Sequence, residues 1–276
     1  MIEWTVDREI LSIGIISIRY YSLLFLASFL MGLVIMKKIF RLENRPPEEV
    51  DDLLVYMMIG VVVGARLGHV FFYGFDYYMS NPLEILKVWE GGLASHGAAI
   101  GILTALYFFV KHKDQYNYLW LVDRLIITVA LSGFFIRMGN LFNSEIIGKP
   151  TDVPWAFIFS KYVDKIPRHP TQLYEALAYL TLFFILYKIY MKYKEKTQPG
   201  YLFGIFLCGV FGFRIFVEHF KENQERFEDD MILNMGQILS IPLVILGIYM
   251  IVTSRKRPLP LPYTPPKDKK KTQKHG

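Results

Sequence analysis

The 276-residue chain has a single cysteine, Cys208, which excludes a disulfide framework and any CxxC redox or zinc site. It contains no HExxH run, no EF-hand loop and no cluster of Cys and His, so neither a metal nor another cofactor is implied. Charge is scarce. Asp, Glu, Lys and Arg make up 20% of the chain, whereas apolar residues reach 53%, above the roughly 45–50% of soluble chains. The net charge of +6 is also uneven: the last 22 residues hold eight Lys and Arg against one acid, Asp268, which leaves the rest close to neutral. Outside that tail nothing has the basic surface of a nucleic-acid binder. The first apolar run is not expected to be a cleavable signal peptide. Glu3, Asp7 and Glu9 stand where a basic leader would lie, and Lys37-Lys38 follow the first apolar run without a small-residue cleavage site.

What is present is a series of apolar runs, each near the roughly 20 residues that a helix needs to cross a bilayer core. Seven fit, at about 16–36, 53–73, 92–110, 119–138, 171–190, 200–217 and 231–252. They predict an all-α integral membrane protein of seven transmembrane helices, forming one membrane-embedded domain over 1–254. Lys and Arg in the connections favour one side, 18 against 8, which predicts an outside amino terminus and an inside carboxyl terminus. Gly60, Gly64 and Gly68, with Gly97 and Gly101, recur every fourth residue and predict closely packed helices. Asn81-Pro82 with Glu84 reads as a helix start, so 82–90 is expected to form a short helix lying at the outer interface. The connection 141–170 is long, aromatic and proline-rich, as ordered functional loops are. The tail 255–276 is basic and rich in Pro and Lys, and is expected to be disordered on the anionic inner leaflet.

Ionisable side chains inside membrane segments are costly and mark functional sites by default. On the predicted topology they share one depth, near the outer ends: Arg19, Tyr20 and Tyr21; Arg66 and His69; Ser95 and His96; Arg137 and Asn140; His169, Gln172 and Glu175; Arg214 and Glu218; Asn234 and Gln237. The inner ends offer only Asp123 and Arg124, which read as an anchor or a structural pair. Simpler readings exist for single residues. Arg19 or Arg66 alone is equally well explained by snorkelling, Arg214 and Glu218 could be a local i, i+4 pair, and His69 or His96 could be packing residues. Convergence of seven segments at one depth is what those readings leave unexplained. Fixed arginines at headgroup depth suit a phosphate, which the guanidinium fork grips bidentately. Acids such as Glu145 and Glu218 can hold the arginines in place, and His96 is the best-placed general base. Ser95 beside His96 is not a catalytic dyad, because adjacent helix residues point apart. Cys208, in mid-segment, reads as packing.

These residues resemble the bacterial prolipoprotein diacylglyceryl transferase family from about Arg19 to Gly247. The run Ile136-Arg-Met-Gly-Asn-Leu-Phe-Asn-Ser-Glu145-Ile-Ile-Gly148 is similar to the family's signature. Gly64-Ala-Arg-Leu-Gly68, Gly91-Gly-Leu-Ala-Ser-His-Gly97, Pro167-Arg-His-Pro-Thr-Gln-Leu-Tyr-Glu175, Phe213-Arg-Ile-Phe-Val-Glu218 and Asn234-Met-Gly-Gln237 follow the same pattern. The departures are Arg19 in place of a usual His, Ile136 in place of a usual Gly, and Ala94-Ser95 in place of Ser-Phe before His96.

The resemblance implies a cytoplasmic (inner) membrane enzyme of lipoprotein biosynthesis. Such an enzyme moves the diacylglyceryl group of phosphatidylglycerol to the lipobox cysteine thiol of a preprolipoprotein, leaving a thioether and glycerol 1-phosphate. It further implies that Tyr21, His96, Arg137, Asn140, Glu145, Gly148, Arg214 and Glu218 are essential. On this reading His96, Arg137, Arg214 and Tyr21 are catalytic, and Arg137, Asn140, Glu145, Gly148, Glu218 and Arg66 contact the lipid substrate. Two other classes of membrane protein would leave different patterns. A transporter would carry midplane charges and repeated halves, and an intramembrane serine protease would need a stronger setting around Ser95 or Ser132; neither pattern is seen.

Overall fold

In lipid a backbone must satisfy its own hydrogen bonds, so apolar runs of this length wind into helices. The computed structural model describes residues 1–13, 16–113, 115–162, 164–222 and 231–263. Its helices are α1 (Tyr20–Leu42), α2 (Glu49–Tyr73), the short α3 (Phe75–Ser80), α4 (Ser95–His112), α5 (Tyr118–Asn143), α6 (Thr171–Tyr193), α7 (Tyr201–Val217) and α8 (Met235–Ser254). Among the described residues six are long and apolar enough to cross a membrane: α1, α2, α5, α6, α7 and α8. The expected seventh span corresponds to α4. It has 18 residues, but Ser95-His96 and Lys111-His112 at its ends dilute its apolar centre. Large side chains such as Val34, Ile59, Phe72 and Val252 stand exposed on the outer faces of the bundle, an apolar surface that belongs against lipid.

Buried along 61% of its apolar window, against 22% for α1 and α8, α5 is the central helix. Its Trp120, Leu121 and Ile127 pack with Phe40 of α1 and with Leu186 and Tyr190 of α6. A separate seam joins α2 to α4 through the glycines the sequence singled out. A Cβ built on Gly60 would meet Ala105 Cβ at 2.7 Å, and one on Gly68 would meet Gly97 Cα at 2.7 Å. The backbones therefore touch only because side chains are absent there.

At one end of the bundle, Asp123 and Arg124 are wholly buried yet do not pair with each other. The Asp123 carboxylate accepts the N–H groups of Gly200 (2.7 Å) and Phe203 (2.8 Å), satisfying the start of α7. Arg124 lies 3.0 Å from Glu43, whose other oxygen accepts the Trp120 indole at 2.7 Å. Part of the tail expected to be disordered also packs at this end. The Arg257 guanidinium donates to Pro199 O at 2.8 Å, and Tyr263 lies 5.7 Å from the Arg45 guanidinium. Residues 264–276 fall outside the described residues.

The opposite end departs from the expected pattern in three places. The first apolar run does not begin as helix: β3 (Ile16–Arg19) pairs antiparallel with β2 (Glu9–Ile13), and α1 starts only at Tyr20. Alternation of Ile and polar residues there suits a strand rather than a helix. In the long connection β4 (Phe157–Phe159) pairs in parallel with β1 (Ile2–Trp4), and the amino-terminal ammonium donates to Pro154 O at 2.7 Å. Finally, 82–90 is not one helix but two 3₁₀ turns, Pro82–Leu86 and Val88–Glu90. Asn81 does not cap it; its amide donates back to Tyr77 O at 3.1 Å.

Candidate functional site

The last turns of α5 carry Arg137 and Asn140, which share one helix face at i, i+3. Arg137 donates to Asn140 Oδ1 at 3.4 Å. Beyond Asn143 the chain reverses through Ser144 (φ 55°) and Ile146 (φ 56°). A β-branched residue in the left-handed region is strained and persists only where its surroundings enforce it. Here α6 does so: Gln172 donates to Glu145 O at 2.5 Å and Thr171 to Ile146 O at 3.0 Å. The reversal folds Glu145 back over α5, where its carboxylate accepts from Asn140 (3.3 Å) and Asn143 (3.2 Å).

Gly148 follows at a crossing of three backbone segments. Its N–H donates to His169 O at 3.1 Å, and a Cβ would lie 2.6 Å from His169 Cβ and 2.8 Å from Phe220 O. Lys149 N–H donates to Phe220 O at 2.8 Å, so the loop after α5 is laced to the segment after α7. Gly148 thus acts through backbone approach, which any side chain would block.

A chain of buried ion pairs runs from Arg137 across three helices. Arg137 Nε lies 3.1 Å from Glu175 Oε2 on the first turns of α6. Glu175 Oε1 meets Lys221 Nζ at 3.0 Å and accepts from Tyr179 at 3.3 Å. Lys221 Nζ lies 3.1 Å from Glu218 Oε1, which lies 3.3 Å from Arg214 Nε on α7. Asn234, at the head of α8, donates to Glu218 Oε2 at 3.1 Å. Asn234 also forms a reciprocal capping box with Gln237.

Exposure decides which of these groups can meet a ligand. The side chains of Glu175, Lys221 and Glu218 are 0%, 3% and 10% exposed, against 17% for Arg137 and 37% for Arg214. The acids lie behind and the guanidinium groups face out. Arg214 Nε and Glu175 Oε2 are buried at ion-pair distance from their partners without hydrogen-bond alignment, while Arg214 as a side chain is the more exposed of the two arginines. An arrangement of fixed, partly exposed guanidinium groups is an anion site.

Tyr21 reaches the same place from α1. Its ring fills the space left by Gly139, where a Cβ would come within 2.6 Å, and its hydroxyl feels the charges of Arg137 and Glu145. His96 is exposed on α4; among the described residues no hydrogen bond, ion pair or ring contact joins it to the network. Arg66, expected to touch substrate, is engaged with backbone carbonyls. Its buried guanidinium donates to the carbonyls of Ile85 (2.9 Å), Gly91 (2.6 Å), Gly92 (3.3 Å) and Glu84, and stacks 4.9 Å from Tyr78. Those acceptors consume the fork, so Arg66 clamps the 82–92 connection to α2. Among the described residues Arg19 pairs only with Glu9, at 3.4 Å and largely exposed.

Two features escaped the sequence reading. Lys221 lies beyond the end of α7, and only its i+3 spacing from Glu218 hinted at a role. An apolar groove of about 860 Å³ also runs between α6 and α7, past Leu177, Thr181, Gly209 and Phe213. At its head the Tyr174 hydroxyl oxygen accepts the Trp155 indole N–H (2.8 Å) and lies 3.1 Å from His169 Nδ1. Burial pushes the His169 imidazole below its ordinary pKa, and its backbone carbonyl is the one that receives Gly148.

The family model described as prolipoprotein diacylglyceryl transferase matches residues 8–253. A Chloroherpeton thalassium protein named phosphatidylglycerol–prolipoprotein diacylglyceryl transferase is 48% identical over 256 residues, covering 93% of this chain and 95% of its own. Proteins of the same name from Tolumonas auensis and Bacteroides fragilis are 46% and 42% identical, covering 93% and 91% of this chain and 98% and 94% of theirs. The chain belongs to the prolipoprotein diacylglyceryl transferase family.

Proposed function

We propose that the chain transfers the diacylglyceryl group of phosphatidylglycerol to the lipobox cysteine thiol of preprolipoproteins. The observation that carries this is the pair of outward-facing guanidinium groups, Arg137 and Arg214, each braced by a buried glutamate. Arg137 and Arg214 grip the lipid phosphate, with Asn140 and Glu145 fixing the Arg137 side and Glu218 the Arg214 side. The apolar groove between α6 and α7 offers room for an acyl chain beside them. Gly148 keeps the loop after α5 close enough to complete the cradle.

Transfer requires a thiolate, and a free cysteine thiol has a pKa of about 8.5. Guanidinium charge nearby favours the thiolate. His96, unengaged and exposed, accepts the proton, assisted by Tyr21. The sulfur attacks the glyceryl carbon that bears the phosphodiester, in line. A carbon–sulfur bond forms, the carbon–oxygen bond breaks, and the electron pair leaves on glycerol 1-phosphate, whose charge the arginines stabilise. Because the nucleophile comes from the acceptor, the enzyme needs no catalytic Cys or Ser.

On this reading α4 is the seventh span, and residues 1–254 form one catalytic domain in the bacterial cytoplasmic membrane. The amino terminus, the 3₁₀ turns of 82–90 and the arginine pair face outward, and the basic tail faces the cytoplasm. The excess of Lys and Arg at the other end supports that orientation.

The test uses purified enzyme in detergent with phosphatidylglycerol and a short lipobox peptide or its Cys→Ser twin. The expected result is a mass gain of one diacylglyceryl unit on the Cys peptide alone, matched by glycerol phosphate release. Release of glycerol phosphate without peptide modification would instead identify a lipid hydrolase.

A further inference from the structure

Lys221 stands at the midpoint of the charge network, and none of the roles above needs it to touch substrate. Its ammonium lies 3.0 Å from Glu175 and 3.1 Å from Glu218, and its side chain is 3% exposed. Each of those carboxylates continues to one arginine, Glu175 to Arg137 at 3.1 Å and Glu218 to Arg214 at 3.3 Å. The lysine backbone is itself fixed, by a bridge to Gly148 in the loop after α5.

Two buried carboxylates that share one small volume repel, and without a cation between them one takes up a proton or both turn fully onto other partners. Among the described residues the only other cations paired with these acids are the two arginines. With Lys221 in place, three cations face two acids and the cluster carries one net positive charge. Without it the cluster is neutral, and the charge of each arginine is spent on its own carboxylate.

We propose that Lys221 is a positioning residue for the transfer reaction: by bridging Glu175 and Glu218 it sets the separation of Arg137 and Arg214 and leaves their charge available to the phosphate of the lipid donor. This rests on the reading of Arg137 and Arg214 as a phosphate clamp. Lys221 acts only through the arginines, so its removal weakens lipid use and leaves acceptor use alone.

The experiment compares initial rates for wild type, Lys221→Arg, Lys221→Met, Lys221→Met/Glu175→Gln and Arg137→Ala, varying phosphatidylglycerol and lipobox peptide separately, with thermal unfolding of each variant. Expected are a KM for phosphatidylglycerol raised about tenfold or more in Lys221→Met, an unchanged KM for peptide, and values within about threefold of wild type in Lys221→Arg. The double variant, which removes one acid with the cation, recovers at least half of the loss on a logarithmic scale. A Lys221→Met enzyme with an unchanged lipid KM, or with both KM values moved alike in step with a lowered Tm, overturns the proposal. If Lys221→Met does not fold, the double variant decides: folded with a lipid KM within about threefold of wild type supports the proposal, while a tenfold rise or failure to fold overturns it. Should Arg137→Ala leave the lipid KM unchanged, the clamp itself fails; should Arg137→Ala raise it and Lys221→Met not, only the role of Lys221 fails.

Discussion

Replacing Arg137 by lysine keeps the charge and removes the fork, which makes it a sharp probe of the site. In the structure the guanidinium spends Nε on Glu175 (3.1 Å) and one terminal nitrogen on Asn140 (3.4 Å), and the side chain is 17% exposed. A lysine ammonium can follow Glu175 but cannot hold Asn140 and a phosphate oxygen at the same time. A hydrogen bond to a charged group is worth about 1.5–3 kcal/mol. Loss of one such bond to the phosphate, with slackening of the Asn140 contact, therefore costs about 2–4 kcal/mol of transition-state stabilisation. That corresponds to a fall of about 30- to 900-fold in kcat/KM for phosphatidylglycerol. The assay is glycerol phosphate release at saturating lipobox peptide, with the peptide KM expected to stay put. Activity of Arg137→Lys within about threefold of wild type would refute the fork argument.

Other substitutions separate scaffold from chemistry. Arg66→Met strands the carbonyls of Glu84, Ile85, Gly91 and Gly92, and should lower stability by about 2–4 kcal/mol, seen as an earlier thermal unfolding; folded enzyme should keep its lipid KM. Gly148→Ala forces a methyl group onto His169 and the Phe220 carbonyl, so it should cut kcat strongly even at saturating lipid, as measured by initial rates. Asp123→Asn replaces a carboxylate that accepts two N–H groups at the start of α7 with a weaker acceptor. It should cost about 1–2 kcal/mol in Tm-derived stability while turnover per folded molecule stays near that of wild type.

How much of this was legible in the sequence depended on the kind of signal. Apolar runs revealed the long helices because membrane-length hydrophobicity leaves few alternatives. The same measure passed over β3, since Ile16–Arg19 continues directly into the apolar run of α1 and only its period-two alternation distinguishes it. Glycine spacing on α2 and α4 predicted a seam that the structure contains, because a missing Cβ has one geometric consequence. Polar residues were harder. Arg137, Asn140, Glu175, Arg214 and Glu218 could be grouped by depth, and the fold brings them into one network that Glu145 joins through Asn140. Arg66 shared that depth and yet turned to backbone carbonyls of the 82–92 connection, acceptors that no side-chain pattern advertises. Lys221 was passed over for the opposite reason. A lysine outside the apolar runs reads as a solvated surface charge, and only the return of the loop after α5 against the segment after α7 buries it.

The central claim is that Arg137 and Arg214 together hold the lipid phosphate, and it can be tested without turnover. Phosphorus NMR of phosphatidylglycerol in detergent, titrated with enzyme in the absence of acceptor peptide, reports the phosphate directly. The account predicts a saturable change in the phosphorus resonance with wild type, weakened in Arg137→Ala and in Arg214→Ala and abolished in the double variant. An equal, saturable change with the double variant would contradict it.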